Sequence, residues 1–204
     1  MKLKSSKKKI LIVEDQLIIA MDLKLTLESL GYGVTGIAGT AEECFQYVEK
    51  EKPDLVLMDI MLSGNVDGIS AAELIHKDYE VPIIYLTAHS DDNSLLRANL
   101  TGPYGYIVKP IEERDLYTSI EIALHRFSVD KELKKSEIKY RTLFEQSLDP
   151  IFIADESAVI IDANQAMIDL FEYPLKGILG HCASEFFYDY SEYEAFIYLA
   201  GQNG

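Results

Sequence analysis

The sequence predicts a doubly wound α/β fold, a five-stranded parallel sheet in the order 2-1-3-4-5, followed by a helical linker and a smaller α+β module. Three observations carry this expectation. Short, apolar, β-branched-rich runs (Ile10–Val13, Leu55–Met58, Ile83–Leu86 and Tyr106–Val108) alternate with helical patterns, as buried parallel strands do. Each run is followed at once by chemistry-bearing residues: Glu14 and Asp15, then Asp59, Thr87 and Lys109. Beyond Phe127 the alternation stops, and a long uninterrupted helical stripe leads into a region of different texture.

The remaining strand is Val34–Ala38. Helices follow from periodicity and punctuation: Leu17–Leu30 stops at Gly31, Ala41–Lys50 stops before Pro53, and Ile69–Lys77 follows the third strand. Asp91–Leu100 ends before Gly102-Pro103, and a last helix starts at Glu112. Its apolar stripe, Leu116, Ile120, Ala123 and Phe127, slips in phase near Val129 and resumes at Leu133, Tyr140 and Leu143. No Gly or Pro interrupts 112–148, so one long helix or two abutting ones is expected, either a signalling linker or short coiled coil or else a merely solvated connector. After Asp149-Pro150, Ile151–Ala154 and Val159–Ile161 flank a turn and predict a hairpin. Asn164 then opens a short helix that ends at Tyr173-Pro174.

Ligands of an open parallel sheet bind outside the carboxyl ends of its strands. Four strands thus deliver three carboxylates, a hydroxyl and an ammonium to one edge. Carboxylates held together repel unless a cation or proton intervenes, so a divalent metal is the natural occupant. Mg²⁺ takes oxygen ligands and commonly uses one or two carboxylates, which Glu14, Asp15 and Asp59 offer. Asp59 is the candidate nucleophile, because a carboxylate attacking phosphorus forms an acyl phosphate. Lys109 and Thr87 would neutralise and orient the transferred group. No base is evident for an attacking water, so rapid hydrolysis is not expected.

These residues give residues 9–127 a close resemblance to a response-regulator receiver domain, whose fold is flavodoxin-like. The matching positions are Glu14-Asp15, Asp59 within Leu57–Ile60, Asp67-Gly68, Thr87-Ala88 and Tyr106–Pro110. The resemblance implies phosphorylation of Asp59 from a phosphohistidine of a sensor histidine kinase. It further implies Mg²⁺ held by Asp15, Asp59 and the main-chain carbonyl of Met61, and a switch made by Thr87 and Tyr106. The loop Leu62–Val66 departs from the commonest pattern by being one residue longer and lacking a proline. Residues 128–148 are the expected linker, and 149–204 resemble an incomplete PAS sensory domain. That second resemblance rests on Tyr140–Glu145, Asp149–Ile151, Ile161–Asn164 and Leu179-Gly180. Because only two strands can be read there, a fragment of a longer protein or an unusually short form of the module is expected.

Composition narrows the classes of function. A net charge of -15 over 204 residues argues against a nucleic-acid surface. No apolar run approaches the roughly 20 residues that span a bilayer, and a cytoplasmic protein is expected. Cys44 and Cys182 lie outside any metal or disulfide spacing. His76, His89, His125 and His181 are scattered and read as surface residues. The expected function is two-component phosphoacceptance without enzymatic turnover beyond slow self-dephosphorylation, in a homodimer formed through the last receiver helices and the linker. Two alternatives remain: a phosphorylation-independent interaction module, and a phosphohydrolase with Asp59 as nucleophile. Enzymes of the latter kind generally carry a second acid two residues on, where this chain has Met61.

Overall fold

A computed structural model describes residues 7–63, 66–88, 97–99, 101–189, 191 and 193. They fall into two compact units divided between Lys131 and Glu132. The first contains five strands, β1 (Lys9–Val13), β2 (Gly33–Ala38), β3 (Leu55–Asp59), β4 (Ile83–Ala88) and β5 (Gly105–Lys109), all parallel in the order β2-β1-β3-β4-β5. Between them lie α1 (Leu17–Ser29), α2 (Ala41–Glu51) and α3 (Gly68–Asp78). The helix expected over Asp91–Leu100 falls largely outside the described residues; of it, Arg97–Asn99 are helical. His89 also lies outside them.

Both faces of the sheet are buried, which is why its central strands are apolar throughout. Ile10, Ile12, Leu55, Leu57, Ile84 and Leu86 point to one face and pack with α1 and the last helix. Leu11, Val13, Val56, Met58, Ile83 and Tyr85 point to the other and pack with α2 and α3. The edge strand β5 departs from the expectation of a buried strand, since Val108 is exposed, and most of β2 at the other edge is half-buried. An edge strand has a neighbour on one side only, so Thr35 and Gly36 are tolerated there. Tyr32 is buried at the entry to β2 and donates its hydroxyl proton to Glu121 Oε1 at 2.6 Å.

The last helix begins in this unit and continues past its boundary as a single element, α4 (Glu113–Gln146). Leu116, Ile120 and Ala123 are fully buried against the sheet, whereas 128–143 is exposed along its whole length. The phase slip near Val129 therefore has a physical cause: the two halves of the apolar pattern lie on different faces of one helix.

The second unit holds a hairpin, β6 (Phe152–Ala154) with β7 (Ile160–Ala163), then α5 (Gln165–Phe171), α6 (Leu175–Ile178) and a 3₁₀ turn over Ala183–Phe186. The two strands read from the sequence thus pair with each other in this unit, and Val159 makes a separate isolated antiparallel bridge with Cys182. Its small core is Ile160, Ala163, Met167, Ile178 and Ala183. Asn164 is fully buried and saturates its hydrogen bonds. Its Nδ2 donates to the carbonyls of Phe144 (3.0 Å) and Asp149 (2.9 Å), while Oδ1 accepts from the N–H groups of Ile151 (2.9 Å) and Met167 (3.0 Å). One amide thereby caps α5 and ties the end of α4 to the hairpin.

Candidate functional site at the carboxyl edge of the sheet

The parallel register sets strand ends side by side: Val13 pairs with Met58, Asp59 with Leu86, and Ala88 with Lys109. Chain reversal just beyond these positions brings Glu14, Asp15, Asp59 and Lys109 together. Glu14 and Asp59 are buried, and Asp15 and Lys109 are half-buried. Lys109 Nζ donates to Glu14 Oε2 at 2.6 Å and to Asp59 Oδ2 at 2.7 Å, so one ammonium bridges two carboxylates. Asp59 Oδ1 accepts from the Met61 N–H at 3.0 Å. The peptide bond between Lys109 and Pro110 is cis.

The charges perturb one another. Burial pushes the Glu14 carboxyl above its ordinary range; the Lys109 hydrogen bond opposes this and the Asp59 charge adds to it. For Lys109, burial alone would lower the ammonium, but the bonds from Asp59 and Glu14 outweigh it and the net direction is upward. Lys109 is held as a cation between two acids.

Ligand oxygens of Glu14, Asp15 and Asp59 all lie within 4.8 Å of one another. Asp15 Oδ2 accepts from the N–H and hydroxyl of Ser63, yet Asp15 Oδ1 is buried with no hydrogen-bond partner among the described residues. An orphaned carboxylate oxygen is costly, and a hard cation satisfies it. The donor set, all oxygen and rich in negative charge, fits Mg²⁺.

Thr87 is buried at the end of β4, but its hydroxyl donates to the Ala88 carbonyl at 3.1 Å and not to Asp59. Tyr106 on β5 is half-buried; its ring lies 5.8 Å from that of Tyr85, and its hydroxyl donates to Asn99 at 2.9 Å. Met61 contributes its main chain, and its side chain is exposed. Three contacts escaped the sequence reading: Ser63 on Asp15, Asn99 on Tyr106, and Arg97, whose guanidinium lies 3.0 Å from Asp67. Asp67 caps α3 by accepting from the Ser70 N–H. Burial alone would raise its carboxyl, but the bonds from Ser70 and Arg97 hold it below the ordinary value. Each of the three partners sits on a loop or short helical segment, where no periodic signal marks a position. His181 also has a partner the sequence did not reveal, Glu185, at 3.0 Å.

The family model of the response regulator receiver domain matches residues 10–121, and that of a PAS domain matches residues 138–200. The chain is 39% identical over 139 residues to the transcriptional regulatory protein PdtaR of Mycobacterium tuberculosis, a match covering 68% of this chain and 66% of PdtaR. It is 36% identical to the phyllosphere-induced regulator PhyR of Methylorubrum extorquens, covering 56% of this chain and 43% of PhyR. Thus the chain spans just under two thirds of the one relative and less than half of the other. Among solved structures, it is similar to the signal receiver domain of a modulated diguanylate cyclase from Desulfovibrio desulfuricans, with 37% identity and a TM-score of 0.59 over 61% of this chain and 99% of that one. It is similar too to the N-terminal domain of a response regulator/sensory box/GGDEF protein from Carboxydothermus hydrogenoformans, with 37% identity and a TM-score of 0.56 over 60% and 98%. Among the described residues, no helix is long and apolar enough to cross a membrane.

Proposed function

Because the chain belongs to the response regulator receiver domain family and carries a PAS domain after it, we propose that it accepts a phosphoryl group on Asp59 from a sensor histidine kinase and passes the change along α4. The observation that carries this reading is the Lys109 ammonium bridging Asp59 and Glu14 beside the orphaned oxygen of Asp15. An oxygen of Asp59 attacks phosphorus, the bond from phosphorus to the donor nitrogen breaks, and the imidazole leaves with the electron pair. Lys109 offsets the charge gathering on the phosphoryl oxygens, and the Met61 N–H orients Asp59. Glu14, Asp15, Asp59 and the Met61 carbonyl would hold Mg²⁺, which supplies further positive charge at the transferred group.

Thr87 and Tyr106 are the proposed switch. Among the described residues the Thr87 hydroxyl bonds to its neighbour's carbonyl, from which it can turn toward a phosphoryl group, and Tyr106 turns into the space it leaves. For the kinase, the α1 face beside the site supports docking. Leu17, Ile18, Met21 and Leu25 stand exposed there, next to a cavity of about 400 Å³ between α1 and the Lys109–Ile111 turn. We divide the chain into a receiver at 9–127, a linker at 128–148 and a PAS-like module at 149–204, and place a homodimer contact on the last receiver helices and linker. Both cysteines are unpaired, which suits a reducing cytoplasmic compartment.

The test is incubation with Mg²⁺ and a small phosphodonor, followed by intact-protein mass spectrometry. A phosphoryl adduct that survives on the parent and is missing from Asp59→Asn is the expected result. Turnover of the donor without an adduct would favour the phosphohydrolase, and no reaction the phosphorylation-independent module.

A further inference from the structure

Asp15 does not offer its two oxygens alike. Its Oδ2 accepts two hydrogen bonds from one residue, from the Ser63 N–H at 3.2 Å and from the Ser63 hydroxyl. Its Oδ1 is buried with no partner among the described residues. Glu14 and Asp59, the other acids of the cluster, are bonded instead to Lys109. Ser63 stands 48 positions along the chain from Asp15, in the loop between β3 and α3. That loop is the one that runs a residue longer than the commonest receiver pattern and lacks its proline. The departure from the family pattern thus falls where the chain touches an acid of the metal site.

A carboxylate free to rotate can meet a cation with either oxygen or with both. Its roughly four lone-pair sites divide evenly between the oxygens, so two donors saturate Oδ2. Asp15 is thereby held to ligation through Oδ1 alone. This restriction separates the hard divalent cations. Mg²⁺ demands near-ideal octahedral geometry and keeps several waters, whereas Ca²⁺ takes about six to eight oxygens in flexible geometry and accepts both oxygens of one carboxylate. If Ser63 only anchored its loop, any acceptor would serve. The bonds fall instead on the oxygen whose saturation leaves a buried twin unpaired, an arrangement that is costly until a cation arrives.

We propose that Ser63 is a positioning residue of the metal site: it pins Oδ2 of Asp15, leaves Oδ1 as the one oxygen offered, and so favours Mg²⁺ over Ca²⁺. The proposal deepens the metal reading above and rests on Asp15 being a ligand, but not on phosphoryl transfer to Asp59. Removing a partner that orients a metal ligand typically costs about 10- to 100-fold in metal affinity. Loss of the Ser63 hydroxyl leaves its N–H in place, so the low end of that range applies. The released carboxylate can then present both oxygens, which suits Ca²⁺ better than Mg²⁺.

The test is titration of the chelator-treated full chain with Mg²⁺ and, separately, with Ca²⁺, read by amide NMR shifts and without phosphodonor. Ser63 is exposed, so Ser63→Ala and Ser63→Thr leave the packing of the chain intact. The parent should bind Mg²⁺ the more tightly. Ser63→Ala should weaken Mg²⁺ by about tenfold and Ca²⁺ by clearly less, so that the preference shrinks. Ser63→Thr restores the hydroxyl and should stay within about twofold of the parent for both ions, as surface changes usually do. Unchanged or tighter Mg²⁺ binding in Ser63→Ala, or a threonine variant as weak as the alanine one, overturns the positioning role. Equal weakening for both ions overturns the selectivity. A parent that binds neither ion overturns the metal reading itself.

Discussion

Gly68 passes so close beneath Asp59 that a β-carbon on it would lie 1.9 Å from the Asp59 carbonyl oxygen. The Gly68 N–H donates to the Ile60 carbonyl at 3.1 Å, so the first turn of α3 is held against the strand end that presents Asp59. Gly68→Ala must push α3 away from β3. It should cost at least about 1–3 kcal/mol, the usual range for forced overpacking, and lower phosphodonor labelling of Asp59. Gly33→Ala is the control, since its β-carbon would meet nothing closer than the Lys8 carbonyl at 3.7 Å. Urea denaturation of both variants decides the matter; equal stability would mean that α3 yields at no cost.

The orphaned oxygen of Asp15 leads to a prediction about metal removal. Anything that binds the native state and not the unfolded one stabilises it by mass action. Adding Mg²⁺ to chelator-treated protein should raise the melting temperature, and Asp15→Ala should lose most of that rise. Melts with and without Mg²⁺ check both halves. A rise of equal size in Asp15→Ala would remove Asp15 from the ligand set.

Cys44 gives a pH dependence with a definite sign. It is fully buried on the inner face of α2, and that burial pushes its thiol from 9.0 up to about 12. A group whose folded value is raised gives stability that is complete below its unfolded value and lost as pH rises through the folded one. The window is therefore from 9.0 to about 12. Stability should fall with alkali across that range, and Cys44→Ala should flatten part of the fall. In a thiol titration of the native protein near neutral pH, Cys182 should react and Cys44 should remain silent until denaturant is added. Prompt reaction of both would contradict the burial.

The strands that carry Glu14, Asp59 and Lys109 were legible because burial on both faces demands unbroken apolar runs, and such runs have sharp ends. Their order followed from the connections. Less was legible wherever a position depends on the path of a loop: Ser63 reaches Asp15, and Asn99 reaches Tyr106, only through chain reversals that leave no periodic trace. The slip near Val129 was visible as an irregularity, but its meaning needed the burial of Ala123 beside the exposure of Ile122. The edge strand at Tyr106–Val108 was overestimated as buried because it has the apolar run of a central strand without the second neighbour.

The amide of Asn164 makes the joint between α4 and the hairpin depend on the identity of one atom. Its two N–H bonds aim at two carbonyls, and aspartate would set an oxygen against both. Hydrolysis of this amide, a spontaneous ageing reaction of proteins, would exchange attraction for repulsion with almost no change in shape. Burial keeps water from it only while the small core of Ile160, Met167 and Ile178 stays closed. The lifetime of the joint would then follow how often that core opens, and the fraction of chains with aspartate at 164 would count those openings.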